Sequence, residues 1–217
     1  MLPNFEDNVY TSQYCEENIY HLAQRMLAQP DSDSRWDINI IFVSNLSRTV
    51  ALWNQRISSS RDTAVIWDYH VVLTLRGAFA VNRDDEQETW IYDLDTRLPV
   101  PCPWEEYVEQ TFPGHADLPG QFQSLFRVVP CKVYLDSFAS DRSHMVIFDP
   151  SHGPHYVAVP PSYPCICGPL AAAQGVSHNL MSDFVYMGGD VNGFGTVLDF
   201  LSFKDWCSGG KSVPSGV

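Results

Sequence analysis

Six cysteines, seven histidines and an excess of acids (Asp+Glu 26 against Lys+Arg 13) are the chain's stock of reactive side chains. One cysteine is distinguished by its position. Cys15, in Tyr14-Cys15-Glu16-Glu17-Asn18-Ile19-Tyr20, precedes apolar residues at Ile19, Leu22, Ala23, Met26 and Leu27. That is the i, i+3, i+4, i+7, i+8 stripe of a half-buried helix. The spacing predicts a helix from about Cys15 to Ala28, ended by Gln29-Pro30, because a proline disfavours helical geometry in the residue before it. Cys15 then sits at the N-cap or in the first turn, where unpaired N–H groups and the helix dipole favour negative charge. A thiol there is expected to have a lowered pKa and to be a good nucleophile. Glu16 and Glu17 oppose a thiolate, so the chemistry also requires a histidine. Taken alone, Cys15 can equally be a small buried apolar residue.

A histidine and an acid are available on two strand-like stretches. Thr63 to Leu75 (TAVIWDYHVVLTL) and Thr89 to Thr96 (TWIYDLDT) are rich in β-branched and aromatic residues. If they form a hairpin centred between Ala80 and Val81, His70 lies opposite Asp93 on one face. The same register sets Asp68 against Asp95, and a slip of one residue would undo both pairings. Cys15, His70 and Asp93 then make a nucleophile, a base and the group that orients the base. Cys15 attacks a carbonyl carbon, His70 moves the proton, and Asp93 fixes the imidazole tautomer. The backbone N–H of Cys15 is a candidate oxyanion donor. His144 is a weaker second base and reads as a surface histidine. His152, His155 and His178 read as solvated, and Trp53, Trp67, Trp90 and Trp104 as core.

The elements that must position these residues follow in order. Met1 to Ser12 is an irregular lead-in, and Asp31 to Arg35 a polar loop. Ile38 to Val43 reads as a buried strand, with Thr49 to Trp53 pairing to it across Ser44-Asn45. Ile57 to Asp62 and Arg76 to Gln87 are loops, and Pro99 to Pro103 a turn. Trp104 to Phe112 is a short helix, and Leu125 to Phe138 a strand followed by a helix or turn. His152 to His178 is mostly loop, Leu180 to Met187 a short ordered piece, and Gly195 to Phe203 a strand then a helix. Residues 1–10 and the Gly/Ser-rich tail from Ser208 are expected to be loosely ordered. With no repeat or boundary, residues 1–217 read as a single α+β domain.

Composition narrows the partners. A net charge of −13 argues against nucleic acid and anionic membranes, whose binding needs clustered Lys and Arg. No apolar run reaches the roughly 20 residues of a membrane span. Met1 to Asn8 lacks a signal-peptide pattern, so an intracellular protein with free thiols is expected, and the Asn45-Leu46-Ser47 sequon carries no weight. Cys165-Ile166-Cys167 does not have the spacing of common zinc sites, so no metal is expected.

Several of these stretches together resemble the protein N-terminal glutamine amidohydrolase family. They are Tyr14-Cys15-Glu16-Glu17-Asn18, Val65-Ile66-Trp67-Asp68-Tyr69-His70-Val71, Tyr92-Asp93-Leu94-Asp95-Thr96 with Leu98-Pro99, and Phe138-Ala139-Ser140-Asp141-Arg142-Ser143-His144-Met145. Pro160-Pro161-Ser162-Tyr163-Pro164 and Asp183-Phe184 extend the likeness. The resemblance implies a papain-like or transglutaminase-like α+β core, with the helix that carries the nucleophilic cysteine packed on an antiparallel sheet. It implies a triad of Cys15, His70 and Asp93, no cofactor, and a monomer of the cytoplasm and nucleus. The implied reaction converts the N-terminal glutamine of a protein or peptide to glutamate and releases ammonia. In eukaryotes a separate transferase arginylates that glutamate, which marks the protein for degradation. Selection for the free α-amine calls for a carboxylate or carbonyls, and Asp68 and Glu16 are the candidates. A thiol peptidase or a transglutaminase on the same triad, or an inactive module that binds N-termini, are the alternatives. The His70–Asp93 loop and the stretch from Val146 to His178 are both longer than the family pattern.

Overall fold

The apolar stripe does form a helix: α1 spans Cys15–Leu27 in the computed structural model, which describes residues 9–29, 35–77, 88–188 and 193–209. The expected loops at Asp31–Arg35 and Arg76–Gln87, the first residues of the lead-in and the end of the tail lie largely outside the described residues. No N-cap side chain closes α1. Instead the Asn18 amide exchanges two 2.8 Å hydrogen bonds with the backbone of Thr11, tying the lead-in to the first turn.

The helix packs on a six-stranded antiparallel sheet in the order β10-β7-β1-β4-β5-β6. Its strands are β1 (Trp36–Ser44), β4 (His70–Gly77), β5 (Thr89–Tyr92), β6 (Cys102–Pro103), β7 (Leu125–Pro130) and β10 (Thr196–Leu198). An antiparallel sheet commonly leaves one face wet, but this one is covered on both. Side chains alternate between faces along a strand. Ile38, Ile40, Phe42, Val71 and Leu73 meet α1 and α3 (Cys131–Ser137). Ile41, Val43, Val72, Phe126 and Val128 meet α2 (Trp104–Thr111) and α5 (Phe200–Cys207). Burial on both faces is why Ile38 to Val43 is continuously apolar.

Three local expectations are corrected. The run from Thr63 to Leu75 is not one strand. It breaks at Asp68-Tyr69 into β3 (Val65–Trp67) and β4, where Asp68 Oδ1 accepts the Tyr69 N–H at 2.9 Å and the Asp68 carbonyl accepts the Ser44 hydroxyl at 2.6 Å. The segment after Asn45 does not pair with β1, whose two edges are taken by β4 and β7. Asn45 Oδ1 accepts the N–H groups of Ser47 and Thr49, turning the chain away, and β2 (Val50–Leu52) pairs with β3. Within the expected loop from His152 to His178, a second strand (Gly153–Tyr156, β9) pairs with β8 (Val146–Asp149), and α4 covers Pro169–Ala173. The ordered pieces near the C-terminus are a π-helix at Leu180–Val185, then β10 and α5.

A buried ion pair fixes the start of α1. Glu17 is fully enclosed, and Arg142 grips both its oxygens at 2.8 Å through Nε and Nη2. The same guanidinium donates to the carbonyls of Pro161, Tyr163 and Pro164, which gives the proline-rich stretch a structural role. Removing one member of a buried pair strands the other's charge, at a cost of about 3–5 kcal/mol. Arg142→Ala is therefore expected to lower unfolding free energy by about that amount, read by urea denaturation. A loss under about 1 kcal/mol would show that water reaches Glu17 and that the pair is not a clamp.

Candidate active site

Of the three residues expected to act together, His70 and Asp93 are in direct contact, and Cys15 comes from the opposite face of the sheet and lies against Val71, the residue after His70. His70 heads β4 opposite Val43, and alternation with Val72 puts it on the α2 side. Asp93 follows β5 immediately. His70 Nε2 and Asp93 Oδ1 are 2.9 Å apart, with both side chains fully buried. The hairpin register differs from the expected one. Leu73 pairs with Tyr92, two residues off, so that continuing the ladder sets His70 against Asp95. A slip of two preserves the face, so the His70–Asp93 contact survives the error. Asp68 does not face Asp95.

Asp93 is saturated with donors. Its Oδ1 also accepts the Asp95 N–H at 2.9 Å, and its Oδ2 accepts the Tyr107 hydroxyl at 2.9 Å and the Gln55 amide at 3.4 Å. Burial alone would raise its pKa, but His70, the Asp95 N–H and Tyr107 hold it below the usual carboxylate range. Burial pushes His70 toward its neutral form. The charge and hydrogen bond of Asp93 outweigh it and keep the imidazole above the ordinary histidine value. Trp67 stacks over His70 at 5.6 Å and 21°. Nδ1, the nitrogen turned away from Asp93, is buried without a hydrogen-bond partner. Tyr107 and Gln55 carried no signal in the sequence, because each reaches Asp93 from a separate element.

Cys15 arrives from the α1 face. Gln13, two residues earlier, has φ 67°, a left-handed backbone that bends the lead-in just ahead of the helix. The Cys15 sulfur lies against the backbone N–H of Val71, the residue after His70. The expected lowering of the thiol pKa is reversed. Burial first, and then the Glu16 carboxylate, push it well above the ordinary value, and the Val71 N–H only partly offsets them. These surroundings favour the neutral thiol, so a base must take its proton for the sulfur to attack.

A cleft of about 340 Å³ opens over the sulfur, lined by Cys15, Trp67, Asp68, Tyr69, His144 and Val157 among others. Two larger depressions, about 620 and 660 Å³, lie around His115 and Phe200 and contain none of the three residues. Of the two acids expected to read an amine, Asp68 is exposed on the cleft wall, whereas Glu16 is fully buried and does not line it. Glu16 Oε2 is 3.7 Å from the Cys15 sulfur, and Oε1 is 3.5 Å from His144 Nε2 with no hydrogen bond of its own. His144 is therefore not a surface residue: its side chain is enclosed, and Nε2 also meets the Tyr69 hydroxyl at 3.1 Å. His178 stacks on it at 6.0 Å and pairs with Asp141 at 3.1 Å, while His152 and His155 are exposed. Trp67, expected in the core, lines the cleft, and its indole N–H is buried with no acceptor.

His70, Asp93 and Asp95 offer ligand atoms within 4.8 Å of one another, the one such group of potential metal ligands among the described residues. Of these, His70 Nε2 and Asp93 Oδ1 are bonded to each other and Asp95 Oδ1 accepts the Tyr10 hydroxyl at 2.6 Å. A histidine oriented by a carboxylate, and a buried thiol that lines a cleft and lies against the next residue of the same strand, are groups suited to acyl transfer from an amide or ester. Among the described residues no helix is long and apolar enough to cross a membrane.

The chain is similar in sequence to known proteins over most of its length. A sequence model of N-terminal glutamine amidase matches residues 10–207. The protein N-terminal glutamine amidohydrolase of Bos taurus is 39% identical over 195 residues, covering 90% of this chain and 84% of that protein. The protein of the same name from Homo sapiens is 38% identical over 195 residues, covering 90% and 85%. That from Arabidopsis thaliana is 35% identical over 181 residues, covering 83% and 76%. The chain belongs to the N-terminal glutamine amidase family.

Proposed function

We propose that this protein is an enzyme that hydrolyses the side-chain amide of an N-terminal glutamine, giving glutamate and ammonia. The observation that carries the reading is the family match over residues 10–207, in a chain whose cleft-lining cysteine heads the helix packed on the His70 strand. His70 Nδ1 takes the thiol proton as Cys15 Sγ bonds to the amide carbon. His70 returns that proton to the leaving nitrogen, the C–N bond breaks, and a thioester and ammonia result. Water then gives a proton to His70 as its oxygen bonds to the acyl carbon. The C–S bond breaks, and the proton returns to sulfur. The Cys15 backbone N–H, at the start of α1, and the unpaired Trp67 indole N–H are the donors available to the oxyanion.

On this reading the carboxylate of Asp68, on the cleft wall, binds the substrate α-ammonium, which offsets the burial that raises its pKa, and buried Glu16 adds negative potential behind it. Asp68→Asn is expected to raise KM for a glutamine-started peptide about 10- to 100-fold with little change in kcat, the scale of one charge-assisted hydrogen bond. An N-acetylated peptide is expected not to turn over. Equal rates on free and acetylated peptides would refute α-amine recognition.

The core is read as papain-like or transglutaminase-like, with the nucleophile helix on an antiparallel sheet whose neighbouring strands bring in the base and its acid. We read the chain as one domain, monomeric, cofactor-free, located in cytoplasm and nucleus, and preparing N-termini for an arginylation-dependent degradation route.

A further inference from the structure

The hairpin β8–β9 stands apart from the main sheet and is unusually apolar on its outside. Val146, Ile147, Phe148, Tyr156, Val157 and Val159 are six of the fourteen exposed large hydrophobic residues among those described, and they fall within fourteen residues. Phe148 is 74% and Val159 85% exposed. Val146, Phe148 and Tyr156, which pairs with Val146, share one face of the hairpin, and exposed apolar surface of this kind marks a binding face rather than ordinary surface. The hairpin is also nearly uncharged in a chain of net charge −13: its single acid, Asp149, is paired with His152 at 2.9 Å.

The patch runs into the cleft. Met145 and Val157, which flank the hairpin, both line it, and the Val157 N–H donates to the Met145 carbonyl at 2.8 Å, extending the ladder to the rim. Ile57 and Ile66, two more exposed hydrophobic residues, line the same cleft. The Tyr14 hydroxyl, one residue before the nucleophile, donates to the Ala158 carbonyl at 3.2 Å and anchors the hairpin's exit beside the site. A polypeptide whose first residue occupies the cleft has this apolar rim as one way out. The four residues of β8 span about 13 Å, the length of four extended substrate residues.

We propose that the β8–β9 hairpin is the docking surface for the substrate chain that follows the N-terminal glutamine, and that it favours apolar side chains at roughly the second to fifth positions. This rests on the amidase reading above. It makes the hairpin a specificity element.

Two substrates separate this surface from the chemistry: a glutaminyl-glycine amide, too short to reach the hairpin, and a pentapeptide of glutamine followed by leucine, valine, phenylalanine and glycine. In Phe148→Ser combined with Val146→Ser, which lie on one face of the hairpin, KM for the pentapeptide is expected to rise about tenfold, the order expected for a lost apolar contact. Both constants for the dipeptide should stay unchanged, which also reports that the variant is folded. Equal effects on the two substrates, or no effect on the pentapeptide, overturn the proposal. So does a wild-type oligomer that the double variant dissolves, which would give the patch to a second copy. If the wild type deamidates neither substrate, the amidase reading fails separately. Pentapeptide binding to Cys15→Ala, with and without the two serines, then decides the surface: weaker binding with the serines supports it, equal binding overturns it.

Discussion

In Cys15→Ala, ammonia release from a glutamine-started peptide falls by about 10⁴-fold or more, to the uncatalysed background. Nothing nearby replaces the sulfur. Cys102, Cys131 and Cys207 are buried, Cys165 and Cys167 are exposed, and none of the five lines the cleft. His70 could still draw a proton from water, but it would have lost the step that divides amide hydrolysis into two lower barriers. Cys15→Ser is expected to fail almost as badly, because a hydroxyl is far less acidic than a thiol, and this site already pushes the thiol's pKa well up. Unchanged circular dichroism and melting in both variants would tie the loss to chemistry. Residual activity above a few per cent would show that another group attacks.

Asp93→Asn should cost about 10⁴-fold in kcat with KM nearly unchanged, the signature of a base in the wrong tautomer. Asp93 only accepts, and four donors converge on it: His70, the Asp95 N–H, Tyr107 and Gln55. An asparagine must point its NH₂ at some of them. Where that NH₂ meets Nε2, the imidazole proton shifts to Nδ1, which can then no longer accept the thiol proton. The pH profile should move as well. His70 acts as a base only when neutral, so activity appears as pH rises through its pKa. In the wild type Asp93 holds that pKa above the ordinary histidine value, against burial. Without the carboxylate burial prevails, and the acid limb of kcat/KM shifts to lower pH. An unmoved limb would mean that His70 does not define it.

Which parts of this were legible in the sequence follows from which patterns are local. The α1 stripe and the Ile38 to Val43 run are local, and both appear within a residue or two of where periodicity puts them. The His70–Asp93 contact is only half legible: the register lies two residues from the one the loop suggests, and an even slip keeps both residues on one face. The break at Asp68-Tyr69 was invisible because Trp67 and His70 suit strands equally well, and only the Ser44 hydroxyl and the paired edges of β1 require a corner there. The thiol pKa was misjudged for a related reason: a helix start is visible in sequence, whereas enclosure of the sulfur is a property of the packed fold. His144 was read as surface because the Tyr69 and Glu16 that enclose it are distant in the chain.

The most direct test of the account is the mass of the product. The purified protein would be incubated with a short peptide carrying one glutamine at its N-terminus and another inside, and both peptide mass and ammonia would be followed. The account predicts a gain of about one dalton confined to the first residue, one ammonia per peptide, and a transient acyl adduct on Cys15. Fragments would make the protein a peptidase and cross-links a transglutaminase. Binding with no change in mass would make it a module that only recognises N-termini. Any of these three outcomes would contradict the account.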